Sequence, residues 1–128
     1  MIAHPDGRDP TGLRLLVVED DALILMLIEN LVTDLGCLVV GAATTVPQAL
    51  ELLQTVPFDG ALLDGNLDGQ TSEPIAHALL DNGIPFIVVT GYRAPPVSGG
   101  PVVQKPFQNN ELQDQIIQHL LPRRNLQR

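Results

Sequence analysis

The chain has 128 residues, 45% hydrophobic and 17% charged, which is the composition of one globular domain with its own core. Its formal net charge of −8 argues against a nucleic-acid-binding protein, because binding to phosphates requires a basic surface. Cys37 is the only cysteine, which excludes an intramolecular disulfide, and no apolar run reaches the ~20 residues that span a bilayer, so we expect a cytoplasmic protein without membrane insertion.

Aliphatic runs alternate with segments of helical periodicity along the chain. They predict, in chain order, strand 13–18, helix 22–35, strand 37–42, helix 46–54, strand 58–63, helix 71–82, strand 85–89, strand 102–104 and helix 109–121. Alternating strands and helices favour a parallel sheet with right-handed crossovers. The predicted fold is therefore α/β, with a doubly wound five-stranded parallel sheet.

Two segments between these elements contain residues that break regular structure. Residues 64–70 are rich in Gly, Asn and Asp and predict a loop. Residues 91–101 predict a second loop, because the segment contains Pro95, Pro96, Gly99, Gly100 and Pro101. Any fourth helix in the alternating series, between the fourth and fifth strands, is therefore expected to be short or absent. On either side of the domain at 13–121, we expect a flexible N-terminal arm at 1–12 and a basic C-terminal tail at 122–128.

Polar side chains follow four of the predicted strands. The first is followed by three acids, Glu19 to Asp21, the third by Asp64, the fourth by Thr90 and the fifth by Lys105. Because ligands bind at the carboxyl ends of strands in open parallel sheets, these side chains are expected to form one site.

The composition of this cluster points to phosphoryl chemistry. Neighbouring carboxylates repel one another unless a cation lies among them, and oxygen ligands suit Mg²⁺. Such an ion would also offset charge on a transferring phosphoryl group. Lys105 could pair with a phosphoryl oxygen and Thr90 could donate its hydroxyl to another. Asp64 is the best candidate for the nucleophile, because flexible Gly65 follows it and it faces the acidic pair.

The four motifs together resemble the receiver family of two-component response regulators. They read Val-Val-Glu-Asp-Asp, Leu-Leu-Asp-Gly-Asn, Val-Val-Thr-Gly-Tyr and Gln-Lys-Pro-Phe, in that order, within residues 13–121. The resemblance implies the flavodoxin-like receiver fold, Mg²⁺ as cofactor and a stand-alone signalling protein. It implies no enzyme activity beyond self-phosphorylation from a phosphodonor and autodephosphorylation.

The resemblance also assigns roles to individual residues. Asp64 matches the phosphoacceptor. Asp20 and Asp21 match the acidic pair that holds Mg²⁺, Asp21 directly and Asp20 partly through water. Asn66 matches the position whose backbone carbonyl completes the metal shell.

Four further positions concern the switch that follows phosphorylation. Thr90 matches the hydroxyl residue that contacts the phosphoryl group on activation, and Lys105 matches the lysine that precedes a cis peptide bond to Pro106. The usual aromatic switch position is occupied by Val102, and Tyr92 is a candidate to take over part of that task. The Thr-Gly-Tyr sequence is similar to the FAT GUY subgroup of single-domain regulators, although two valines replace the Phe-Ala of that motif.

The resemblance implies a sensor histidine kinase or histidine phosphotransfer protein as donor, and an unidentified downstream protein as target. We expect a monomer or a weak dimer. Leu23, Leu25 and Met26 lie outside the apolar stripe predicted for the first helix, which includes Leu27. They indicate either a helix buried on more than one side or a docking patch for a partner helix.

Two other functions remain as alternatives. A degenerate receiver would act as a phosphorylation-independent interaction module, which the altered switch position favours and the complete acid, Thr and Lys set disfavours. A phosphatase of the haloacid-dehalogenase type would need a second acid two residues after the nucleophile, where this chain has Asn66.

Overall fold

The computed structural model describes residues 8–91, 97 and 99–121. Its helices and strands are, in chain order, β1 (Arg14–Val18), α1 (Ala22–Asp34), β2 (Leu38–Ala43), α2 (Val46–Thr55), β3 (Gly60–Asp64), β4 (Asn66–Leu67), β5 (Gln70–Thr71), α3 (Glu73–Asp81), β6 (Phe86–Thr90), β7 (Val102–Gln104) and α4 (Asn109–His119).

Five strands form a parallel sheet in the order β2-β1-β3-β6-β7. Side chains of α1 and α4 pack on one face of this sheet, and side chains of α2 and α3 pack on the other. The predicted doubly wound, flavodoxin-like fold is therefore confirmed. Among the described residues no helix lies between β6 and β7, but residues 92–96 and 98 of that segment lie outside the description.

The core is aliphatic and divided in two by the sheet. Successive residues of β1 point to opposite faces, so that Leu15 and Val17 join one apolar cluster while Leu16 and Val18 join the other. Every residue of β3 is buried, as expected of a central strand covered by helices on both sides. Burial of this kind holds the strand ends, and the side chains that follow them, in fixed positions.

The segment after β3 differs from the predicted loop and early helix. Residues 66–67 and 70–71 pair as a small antiparallel hairpin, and α3 begins only at Glu73. Asp68 and Gly69 make the turn with φ values of 52° and 86°, both in the left-handed region. An Asp-Gly pair favours this turn between two strands, which explains why the chain continues as a hairpin.

Contacts at the amino end of the sheet tie β1 to its surroundings. The Arg14 guanidinium donates to both carboxylate oxygens of Asp59, at 3.1 Å and 2.9 Å. The Gly12 N–H donates to the Gly36 carbonyl at 2.8 Å. Cys37, the residue after Gly36, is buried, and burial raises the pKa of its thiol to about 11. Residues 1–7 and 122–128 of the predicted arm and tail lie outside the described residues.

The helix α1 is rotated relative to the prediction. Ile28, Leu31 and Val32 are its buried residues. Leu25, expected outside the apolar stripe, packs against the core, whereas Leu27, expected inside it, is 60% exposed. No helix in the described part of the chain is long and apolar enough to cross a membrane.

Candidate functional site

The carboxyl edge of the sheet carries a cleft of about 430 Å³. It is lined by Asp20, Asp64, Asn66, Asp68, Gly69, Gly91 and Lys105. Carboxylate oxygens of Glu19, Asp20 and Asp64 lie within 4.8 Å of one another beside it. The strand ends therefore meet at one edge, and the arrangement concentrates acidic groups around one basic side chain.

Asp64 lies at the end of β3 and is 6% exposed. Its two carboxylate oxygens have different partners: Oδ1 accepts the Asn66 N–H at 3.1 Å, and Oδ2 lies 3.2 Å from Lys105 Nζ. The Asp64 carbonyl accepts the hydroxyl of Ser72. These contacts hold both the side chain and the main chain of Asp64.

Lys105 bridges two acids. Its Nζ donates to Glu19 Oε1 at 2.9 Å and to Asp64 Oδ2 at 3.2 Å. Burial acts to lower the pKa of this ammonium, but the hydrogen bond that it donates to Glu19 and the charges of both acids outweigh burial and raise the pKa. Burial raises the pKa of Glu19 to about 7, although Lys105 opposes that shift. The charged form of the lysine is thus favoured at the site.

Asp20 is exposed at the rim of the cleft and connects β1 to the hairpin. Its Oδ2 accepts the N–H of Asp68 at 2.7 Å. A carboxylate held at the cleft by a backbone donor is a suitable ligand for a hard cation.

Asp21, predicted as a direct metal ligand, caps a helix in the structure. Its Oδ1 accepts the N–H groups of Leu23 and Ile24, at 2.9 Å and 3.2 Å, so it caps the first turn of α1. Because β1 ends at Val18 and α1 begins at Ala22, the third acid of the run falls at the cap. The structure does not place Asp21 in the acidic group, which contains Glu19 in its stead.

The remaining predicted residues occupy the same edge or lie outside the description. Thr90 is fully buried at the end of β6, and its carbonyl accepts the Lys105 N–H at 2.8 Å. Asn66 begins β4, and its Oδ1 accepts the Gly69 N–H at 2.8 Å, which stabilises the hairpin turn. Tyr92 lies outside the described residues, so its switch role stays a prediction. Val102 is 43% exposed on β7.

The peptide bond between Lys105 and Pro106 is cis.

The donor set fits Mg²⁺. Asp20 and Asp64 offer carboxylate oxygens across a cleft large enough for an ion that keeps several waters. Asn66, Asp68 and Gly69 of the hairpin line the same cleft. This set is all oxygen, which excludes the sulfur and imidazole ligation that zinc prefers.

Two residues of the site have contacts that the sequence does not predict. Glu19 is one of the three acids expected at this edge, but the sequence assigns it no individual role. Ser72 lies inside the helix predicted at 71–82. The signals that could have identified Ser72 are the Asp-Gly turn just before it and the Glu-Pro pair just after it, which together mark a helix start.

Comparison with known proteins gives a consistent result. The family model described as the response regulator receiver domain matches residues 15–117. The crystal structure of the response regulator PhyR from Brucella abortus is 34% identical with a TM-score of 0.78; the match covers 88% of this chain and 49% of that one. The chain thus spans about half the length of that protein.

Two smaller structures match along most of their length. The solution structure of SdrG from Sphingomonas melonis Fr1 is 35% identical with a TM-score of 0.73, covering 82% of this chain and 93% of that one. The receiver domain of the Erythrobacter litoralis PhyR response regulator is 30% identical with a TM-score of 0.75, covering 84% and 89%. Among curated proteins, none matches the chain.

Proposed function

The chain belongs to the response regulator receiver domain family, and from this premise we propose that Asp64 accepts a phosphoryl group from a sensor histidine kinase or a histidine phosphotransfer protein. The observation that carries the proposal is the position of Lys105 Nζ, within 3.2 Å of Asp64 and 2.9 Å of Glu19. A fixed ammonium beside a carboxylate is the arrangement that phosphoryl transfer to that carboxylate requires, because the charge of the phosphoryl oxygens must be offset.

The reaction uses the residues of the cleft in distinct roles. A carboxylate oxygen of Asp64 attacks phosphorus, the bond from phosphorus to the donor nitrogen breaks, and the product is an acyl phosphate on Asp64. Lys105 pairs with a phosphoryl oxygen as charge moves onto the group. Thr90, at the end of the neighbouring strand, supplies a hydroxyl donor to another oxygen.

Magnesium would be held by Asp20, Asp64 and the backbone carbonyl of Asn66, and it would supply neutralising charge to the phosphoryl oxygens. We do not include Asp21 in this set, because its carboxylate caps α1. Glu19 instead pairs with Lys105 and holds the ammonium in place. Removing Glu19 is thus expected to impair phosphorylation without removing a metal ligand.

The exposed apolar face of α1 supports the proposal that the phosphoryl donor is a protein. Leu23, Met26 and Leu27 are 72%, 53% and 60% exposed, and their spacing puts them on one side of the helix. Only three residues, 19–21, separate β1 from this helix, so this patch adjoins the cleft. We propose that it receives the apolar face of a donor helix that presents phosphohistidine to Asp64.

The test of the phosphoacceptor is direct. The protein is incubated with Mg²⁺ and acetyl phosphate, and its intact mass is followed; a gain of one phosphoryl group is expected. The Asp64→Asn variant is expected to show no gain, while Asp81→Asn, at an exposed position on α3, behaves as wild type. A wild-type protein that neither gains mass nor responds to beryllofluoride would instead favour the phosphorylation-independent interaction module.

The test of the docking patch compares two donors. Leu27→Lys is expected to leave labelling by acetyl phosphate unchanged and to slow transfer from phosphorylated histidine phosphotransfer proteins. Leu80→Lys, at another exposed leucine, is the matched control and is expected to affect neither reaction. Equal loss with both donors would show that the substitution disturbs the fold and not docking.

The rest of the proposal concerns context. We propose a cytoplasmic regulator, monomeric or weakly dimeric, that signals by protein–protein contact. Membership of the FAT GUY subgroup stays a prediction.

A further inference from the structure

Ser72, the residue before α3, contacts the phosphoacceptor segment twice. Its hydroxyl donates to the Asp64 carbonyl, and its N–H donates to the Gly65 carbonyl at 3.2 Å. The side chain is fully buried. We propose that Ser72 is a positioning residue, which sets the main-chain geometry after β3 and thereby the Mg²⁺ affinity and phosphorylation rate of the site. The inference rests on the proposed function of Asp64.

The Ser72 hydroxyl is used differently from the side chains that precede α1 and α2. Asp21 and Thr45 occupy the equivalent position before α1 and α2, and each side chain accepts N–H groups of its own helix. Ser72 makes no such capping bond to α3. Its hydroxyl donates away from the helix, to the phosphoacceptor. A residue type that normally caps a helix is here used to hold the site.

The contact acts on the ligands of the cation through the backbone. The Asp64 side chain and the Asn66 carbonyl, two of the proposed ligands, belong to the three-residue segment whose first two carbonyls accept from Ser72. Asn66 in turn pairs with Thr71, the residue before Ser72, across the hairpin. The segment is therefore held from both ends, and loss of the hydroxyl releases the end nearest to Asp64.

The experiment compares Ser72→Ala with Thr45→Ala, which removes a hydroxyl from the start of α2 that does not line the cleft. Backbone amide NMR follows a titration with Mg²⁺, and intact mass follows labelling by acetyl phosphate at saturating Mg²⁺. We expect Ser72→Ala to weaken Mg²⁺ binding by roughly three- to tenfold, the effect of about one lost hydrogen bond, and to slow labelling. We expect Thr45→Ala to lower the unfolding midpoint while leaving both values unchanged.

Other outcomes separate the two proposals. If wild type neither binds Mg²⁺ nor takes a phosphoryl group, the proposed function fails. If wild type does both and Ser72→Ala matches it, or Thr45→Ala weakens Mg²⁺ binding as much, the role of Ser72 is refuted.

A measurement on the wild-type protein covers the case in which Ser72→Ala does not fold. Deuterium exchange of a hydroxyl shifts the carbon resonance next to it, so the Ser72 Cβ signal reports whether the proton is held. We expect slow exchange and a shift of this signal when Mg²⁺ is added. Fast exchange, or a signal indifferent to Mg²⁺, would overturn the inference.

Discussion

Lys105 Nζ lies 3.2 Å from Asp64 Oδ2, although 41 residues separate the two in the chain. The contact exists because β3 and β7 both end at the carboxyl edge of the sheet, with β6 between them. The proposed nucleophile is therefore in hydrogen-bond contact with the ammonium that would stabilise its phosphorylated form.

Replacing Lys105 with Met tests the role of the ammonium. We expect labelling by acetyl phosphate to slow by about tenfold or more, because no ammonium group then pairs with the phosphoryl oxygens. Mg²⁺ should bind more tightly, since the cation no longer competes with Lys105 for Asp64. Intact mass against time and a Mg²⁺ titration measure the two effects. Labelling at the wild-type rate would contradict the proposed mechanism.

Asp20 and Asp21 should respond differently to substitution. Asp20→Asn is expected to weaken Mg²⁺ binding by about tenfold, because it removes a charged ligand. Asp21→Ala is expected to lower the free energy of unfolding by about 1 kcal/mol through loss of the α1 cap, with Mg²⁺ affinity unchanged. Denaturant unfolding and Mg²⁺ titration provide the two measurements. Asp21→Asn keeps a capping side chain and serves as the control; weaker Mg²⁺ binding in that variant would restore Asp21 as a ligand.

The ion pair between Arg14 and Asp59 predicts a pH-dependent stability. The hydrogen bond from the Arg14 guanidinium holds the pKa of Asp59 below its usual range, and the charge of Arg14 acts in the same direction. A carboxyl whose pKa is lower in the folded state stabilises the fold above its unfolded pKa and loses that contribution as the pH falls through the folded value.

Asp59→Asn is therefore expected to lower the free energy of unfolding at pH 7. The loss should be under about 1 kcal/mol, because both side chains of the pair are partly exposed. The difference from wild type should shrink as the pH falls below about 4. Denaturant unfolding at several pH values measures it; a difference that grows toward low pH would contradict the assignment.

Gly100, just before β7, should not tolerate a side chain. A Cβ at this position would lie 2.6 Å from the Phe86 carbonyl oxygen and 3.0 Å from its ring. Gly100→Ala is expected to cost about 1–3 kcal/mol of stability by overpacking. Gly91→Ala, where a Cβ would meet nothing within 4 Å, is the control and should change stability little. Equal unfolding midpoints for the two variants would contradict this prediction.

The sheet and its site edge could be predicted because the signals are strong. Continuous aliphatic runs such as β3 indicate buried parallel strands, and strand ends must meet at one edge. The convergence of Asp64, Thr90 and Lys105 follows from that topology alone.

The local sequence pattern could not predict which of the three acids joins the site, or which face of α1 is buried. Three consecutive acids follow β1, and only the position at which the helix begins decides which of them becomes the cap. Leu25 and Leu27 exchange their expected places because a helix with apolar residues at Leu23 through Ile28 shows no single stripe. Packing against the sheet and α4 determines the rotation.

The hairpin of β4 and β5 could not be predicted from the sequence for a different reason. Its strands have two residues each, below the length at which alternation is recognisable, and the only local signal is the Asp-Gly turn. The partner of Ser72 lies eight residues earlier, a relationship that no helical or strand period predicts.

The buried thiol of Cys37 has a practical consequence for following the protein in solution. The thiolate is the form of cysteine that attacks a maleimide, and a thiol with a pKa of about 11 is almost entirely protonated at pH 7. A second cysteine introduced at an exposed hairpin position such as Gln70 would therefore take up a fluorophore or spin label selectively. The signal of such a label would report movement of the hairpin when Mg²⁺ or a phosphodonor is added.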